Sequence, residues 1–181
     1  MQAVAIVVLC VLSAVVYGIV HDQVTARVCV EYFTIGHPPV FATESPTLLG
    51  VGWGTIATWW MGLILGVPLA LSARCGRWPK RPARSLVRPI AVLLVIMGIL
   101  ALAAGVVGYF LARSGTIVLL GWLAEHVPPD RHVPFIACLW AHNASYLAGL
   151  VGGIILFITT LQWRSRMALI QVARAPAPAE T

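Results

Sequence analysis

LLGVGWGTIATWWMGLILGVPLALSA, residues 48–73, is the stretch that decides the fold class. It contains no Asp, Glu, Lys or Arg, and a helix of about 20 apolar residues is enough to cross a bilayer. Gly50, Gly54, Thr58, Gly62, Gly66 and Ala70 recur every four residues, so a helix built here carries one face without bulky side chains. In lipid, where helices associate by close backbone approach, that is a packing face. The stretch therefore predicts a transmembrane helix made to lie against another.

Three further apolar segments flank it, at 2–20, 86–112 and 133–161, and the middles of all four are free of ionisable residues. The whole chain is 60% hydrophobic and 10% charged, against roughly 25% charged in a soluble globular domain. A soluble protein of this composition would expose far more apolar surface than monomers tolerate. The expectation is an all-α integral membrane four-helix bundle of two hairpins occupying residues 1–163, followed by a short disordered tail, 164–181. Ala137, Ala141, Ser145, Gly149 and Gly153 repeat the small-residue stripe in the fourth segment, and Gly98, Ala101, Gly105, Gly108 and Ala112 approximate it in the third. The first segment has no Lys or Arg ahead of its apolar run, and that run exceeds a signal peptide's core, so it reads as a retained helix.

Sidedness follows from the basic residues. Arg74, Arg77, Lys80, Arg81, Arg84, Arg88, Arg164, Arg166 and Arg174 make up nine of the twelve Lys and Arg, and they flank the second, third and fourth segments on one side. The positive-inside rule then places both termini in the cytoplasm of a plasma (inner) membrane, and residues 21–47 and 113–132 outside. The net charge of +6 is thereby a property of topology. A nucleic-acid partner is excluded, the basic run being short and set between two crossings. The expected partners are the bilayer itself, anionic headgroups included, and other membrane subunits or a second copy. Trp78 and Trp163 fall near the inner edge and Trp53, Trp122 and Trp140 near the outer one, as an interfacial belt would have them; Trp59 and Trp60 fall mid-span, facing lipid or filling space.

Outside the membrane, HDQVTARVCVEYFTIGHPP (residues 21–39) interrupts the apolar pattern. Val24, Val28, Tyr32 and Ile35 keep helical spacing and Arg27 stands four residues before Glu31, so the first helix is expected to run on to about Ile35, with an Arg27–Glu31 pair on its surface. A strand over VCVEYF is the rival reading. Cys29 and Cys138 fall on the outer side, where a disulfide is an alternative to two free thiols.

The same topology gathers all five histidines, with Asp22, Glu31, Glu44, Glu125 and Asp130, on the outer side. Imidazole with carboxylate suits transition metals such as Zn, Fe or Cu, and helical bundles commonly frame such donors. The candidate ligands are His21, Asp22, Glu31, His37 and His142. His21 and Asp22 stand where the first helix leaves the hydrocarbon, and His142 opens the polar run HNASY at a matching depth on the fourth. His126 and His132 read as solvated loop residues. The blander alternative is an Asp22–His142 hydrogen bond that only fixes packing. A b-type haem held between His21 and His142 is a further alternative.

Three functions stay open on this evidence: a metal-binding or metal-dependent membrane component, a structural or assembly subunit, and a small-molecule carrier. The carrier is disfavoured by the uncharged span middles and the lack of an evident broken helix, although Pro68 is placed to kink the second span. Whether the chain is an enzyme is not legible.

Overall fold

The computed structural model describes residues 1–174, and all regular structure in them is helical. In chain order the α-helices are α1 (Gln2–Val28), α2 (Glu31–Thr34), α3 (Pro46–Ile56), α4 (Trp59–Arg74), α5 (Val87–Arg113), α6 (Trp122–His126) and α7 (His132–Ala173). Short 3-10 turns, Ala83–Leu86 and Pro129–Arg131, lead into α5 and α7. Four segments are long and apolar enough to cross a membrane: Gln2–Val28, Pro46–Arg74, Ala83–Arg113 and Pro129–Ala173. Each contains one of the four segments expected from hydropathy.

Two of the expected helices are interrupted. At Cys29 the backbone turns extended (φ −154°, ψ 95°) and ends α1; one further turn, α2, follows. Neither the uninterrupted helix to Ile35 nor the strand over VCVEYF is therefore found. The second span divides at Ala57–Thr58 into α3 and α4, while Pro68 sits inside an unbroken α4. The Thr58 hydroxyl donates to Gly54 O, the acceptor its own amide would reach in a regular helix, and the amide turns to Thr55 O instead. A broken helix, unexpected from the sequence, is thus present.

α1 lies along α3 and α4, and α5 lies along α7. The first contact is made by the small-residue stripe. A methyl group added at Gly54 would meet Ile19 Cα at 2.5 Å, and one at Gly62 would meet Val11 Cα at 2.6 Å, so the helix axes are as close as glycine permits. In the second pair Gly108 lies under the Trp140 ring and Gly105 beside Ala137 and Ala141. Gly98, included in the same stripe, faces open space. The outward residues of α1, Val4, Val8, Leu12, Val16, Val20 and Val24, are all exposed. Trp59 and Trp60 are exposed as well, whereas Trp53 is buried and does not belong to a surface belt.

The two hairpins meet chiefly through α4 and α7, with α1 touching α5 and α7 over few residues. At the end that carries the basic loop, Arg164 of α7 is 1% exposed. Its guanidinium donates to the carbonyls of Ser72, Cys75, Trp78 and Pro79, the last turn of α4 and the loop beyond it. A cation here faces the partial negative charge of a helix C-terminus and fills acceptors that would otherwise be orphaned. Arg81 reaches the other way, donating to Thr160 Oγ1 at 3.1 Å and lying 5.4 Å over the Trp163 ring. The helix continues through Arg164 to Ala173, so residues 164–173, expected as tail, are helical; residues 175–181 of that tail lie outside the described residues.

Arg164→Met leaves four carbonyls without their donor and is expected to destabilise the protein by roughly 3 kcal/mol or more. Arg164→Lys, lacking the planar fork, recovers only part of this. Thermal unfolding in detergent, comparing both variants with wild type, measures the difference.

Candidate metal centre

At the opposite end, the last turns of α1 bring up two polar side chains in succession. Neighbouring residues on a helix point about 100° apart, so His21 and Asp22 approach the same partner from adjacent directions. That partner is His142, about three turns into α7 and 7% exposed; Asp22 is 4% exposed. His142 Nε2 lies 3.1 Å from Asp22 Oδ1, and His142 Nδ1 lies 3.2 Å from His21 Nε2 and 3.0 Å from Cys138 O. Ligand atoms of His21, Asp22 and His142 all fall within 4.8 Å of one another, and the three are able to hold a metal ion.

The partners of each ring nitrogen constrain how it is used. A carboxylate only accepts, so His142 Nε2 carries the proton that faces Asp22; Nδ1 faces both the Cys138 carbonyl, also an acceptor, and His21 Nε2, and an ion held there would take the Nδ1 lone pair in place of those contacts. Two imidazole nitrogens bound to one ion at about 2.05 Å with tetrahedral angles stand roughly 3.3 Å apart. The observed 3.2 Å fits that spacing. Asp22 behind His142 is in the position from which a carboxylate orients a ligating imidazole and raises its basicity.

The aromatic surroundings hold these rings in place. Tyr32 of α2, buried, lies with its ring centroid 4.5 Å from that of His142. Tyr17 stacks on His21 at 5.8 Å and its hydroxyl is 2.6 Å from Ser145 Oγ. Below the cluster, a cavity of about 110 Å³ runs between the hairpins and is bounded at this end by His21, Asp22, His142 and Ser145.

Of the five expected ligands, the structure brings together His21, Asp22 and His142. Glu31 is engaged elsewhere: because α1 ends at Cys29, it leaves Arg27's face and sits 3.0 Å from Arg131 Nε, while also accepting from the Cys29 thiol at 3.3 Å. The expected Arg27–Glu31 pair does not form; Arg27 donates to Gln23 Oε1 and Thr47 Oγ1. His37 lies in the next layer, its Nδ1–H donating to Tyr32 O at 2.7 Å and its ring 4.6 Å from Trp53. Burial holds its pKa below the ordinary value, and the His142 ring adds to that, against the hydrogen bond to Tyr32. His126 and His132 each satisfy a nearby backbone carbonyl, of Trp122 and Val127. Cys29 and Cys138 are both buried free thiols, and burial, with Glu31 beside it, pushes Cys29 up to about 12.

The haem alternative does not fit. A macrocycle would have to enter between two imidazoles whose ring centroids are 4.3 Å apart and whose facing nitrogens are 3.2 Å apart. Tyr17, Tyr32, Ser145 and Arg131 also belong to the site or its surroundings; of these the sequence reading marks only Ser145, in the polar run beside His142. Tyr17 stands four residues before His21 and Ser145 three after His142, so helical spacing was the available clue for those two.

The Glu31–Arg131 contact ties the end of α1 to the start of α7, since Arg131 also donates to Val28 O at 3.1 Å. Burial raises the Glu31 carboxyl, but hydrogen bonds from its own backbone amide, Arg131 and Cys29 outweigh this and hold it below its ordinary 4.5. A carboxyl depressed in the folded state stabilises above its unfolded value, and that contribution fades as pH falls through the folded value. Amide exchange over residues 29–37 is therefore expected to accelerate as pH drops from about 4.5, beyond the intrinsic pH effect on exchange, and this excess should vanish in Glu31→Gln. Comparison with known proteins finds no relative: no family model matches the chain, no curated protein matches its sequence and no solved structure matches its fold.

Proposed function

We propose that the chain is an integral membrane protein, with both termini cytoplasmic, that binds a transition metal near the extracytoplasmic face through His21 and His142, with Asp22 as the partner of His142. The observation that carries this reading is the convergence of three donors from two helices within 4.8 Å, all at one end of the bundle. Membrane insertion is supported by the four long apolar segments and by the exposed apolar stripe on α1. Sidedness is supported by the gathering of the basic loop at the end opposite the histidines.

Two imidazoles, one of them backed by a carboxylate, suit zinc or non-haem iron. With so few protein ligands, coordination positions stay open to water or substrate, the property of a catalytic rather than a structural site. A bound ion would supply Lewis acidity or redox chemistry there. The chain's own contribution is to orient the imidazoles: Asp22 fixes the His142 tautomer, and Tyr17 and Tyr32 limit ring rotation.

The second reading is a packing device. The 3.1 Å Asp22–His142 contact is by itself an interhelical hydrogen bond of a kind worth about 0.6 to 2 kcal/mol in lipid.

The test is metal analysis of protein purified without chelators, followed by titration with Zn(II) and Fe(II). One ion per chain is expected, with binding lost in His21→Ala and His142→Ala. In Asp22→Asn, affinity should fall by about 10- to 100-fold, as for other outer partners of a ligating histidine. Absence of metal in every preparation, with thermal stability lowered equally by all three variants, would leave only the packing device.

A further inference from the structure

The buried guanidinium of Arg164 carries a charge that nothing in the described chain cancels. It is 1% exposed, and the four carbonyls it donates to are neutral groups. Among the described residues the carboxylates are Asp22, Glu31, Glu44, Glu125 and Asp130, all toward the opposite end, and their ion pairs are with Arg131 and His142. A charge taken out of water without a counter-ion is costly, and its field favours an anion in any space beside it.

Such a space adjoins it. A recess of about 600 Å³ lies between the last turns of α4 and α7, and Arg164 forms part of its wall. After α4 ends, Gly76 takes φ 78° and turns the chain, so that Arg77 and Trp78 line the recess as well. Arg77 is exposed and has no ion-pair partner among the described residues. A helix C-terminus by itself disfavours an anion through its free carbonyls; Arg164 covers those of α4, so this helix end is net positive. Deeper in the bundle the lining changes to Pro68, Leu71, Phe157 and Leu161. Pro68 and Cys75 are roughly 10 Å apart along α4. The recess therefore passes from apolar to cationic within about two turns of helix.

We infer that this recess binds an anionic phospholipid, its phosphate head at Arg77 in the field of Arg164 and the upper part of its chains against Pro68, Leu71, Phe157 and Leu161. Two observations select this occupant. The cations at the mouth have no carboxylate of the described chain to neutralise them, so the complementary charge comes from outside. The deeper wall is apolar, which a soluble phosphate would leave uncovered and a lipid covers. Trp78 at the rim suits the headgroup level, where amphipathic rings gather. The inference rests on the proposed membrane insertion and is independent of the metal centre.

The experiment uses the full chain in phosphatidylcholine nanodiscs, with phosphatidylglycerol and phosphatidylcholine spin-labelled at the same chain carbon as probes. Electron paramagnetic resonance is expected to show an immobilised fraction of both lipids, with a preference for phosphatidylglycerol. Arg77→Gln should lower that preference roughly fivefold, the factor for one basic side chain near an anionic surface. Arg88→Gln, at an exposed position outside the recess, should leave it unchanged, with wild-type helicity in both variants by circular dichroism. Equal immobilisation of the two lipids overturns the proposal. Equal losses in the two variants do so too, since they report attraction to the basic loop as a whole. Displacement of phosphatidylglycerol by inorganic phosphate, but not by chloride at equal ionic strength, also overturns it, the recess then taking a soluble anion. No immobilised fraction of either lipid discards membrane insertion itself, and the lipid site with it.

Discussion

The contact on which the structure depends is the approach of α1 to α3 and α4, backbone against backbone, where Gly54 meets Ile19 and Gly62 meets Val11. In the membrane setting proposed above, where apolar burial does not drive helices together, such close packing contributes to association along with interhelical hydrogen bonds. It commits one face of α1 entirely to its own hairpin. What remains for the second hairpin is the edge that carries Tyr17, His21 and Asp22. Union of the halves is made by apolar clusters, Tyr32 and Phe33 with Phe135 at one end and Ile6 and Leu69 with Leu86 at the other, and by polar groups beside each: imidazoles and a carboxylate at the first, the Arg164 and Arg81 guanidiniums at the second.

This division of labour accounts for the void between the ends. Close packing everywhere would need small faces on both sides of the hairpin interface, and the stripe of α3 and α4 is already turned to α1. The cavity is the geometric remainder, and of the groups that join the halves His21, Asp22 and His142 also line it at one end. Structural and chemical roles consequently share His142. Its Nε2 face holds Asp22 and its Nδ1 face meets His21, so removing the ring affects both the docking of α7 and any ion held there.

How far all this could be read beforehand depends on the range of the interaction involved. The four long segments were legible because hydropathy is a local property, and the small-residue stripe of the second span was legible for the same reason. The pairing of His21 and Asp22 with His142 followed from depth, which hydropathy also sets. Glu31 went astray because a single extended residue, Cys29, rotates everything after it, and nothing in VCVEYF marks that residue as different from its neighbours. The break at Thr58 depends on a hydroxyl competing for Gly54 O, one of two outcomes open to any mid-span threonine. Arg164 was counted only as a charge, since four backbone acceptors from another part of the chain leave no trace in its own surroundings.

α7 runs without interruption from His132 to Ala173 and carries both His142 and Arg164. At 1.5 Å per residue these two are roughly 33 Å apart along one stiff rod, close to the 30 Å or so of a bilayer's apolar interior. In a bundle inserted as proposed, the rod would match that thickness. In a thinner bilayer it must lean or deform the surrounding lipid, and leaning displaces His142 and Arg164 in opposite senses against the hairpin they hold. On the proposed membrane reading, the geometry at the imidazoles would in this way depend on the thickness of the surrounding bilayer.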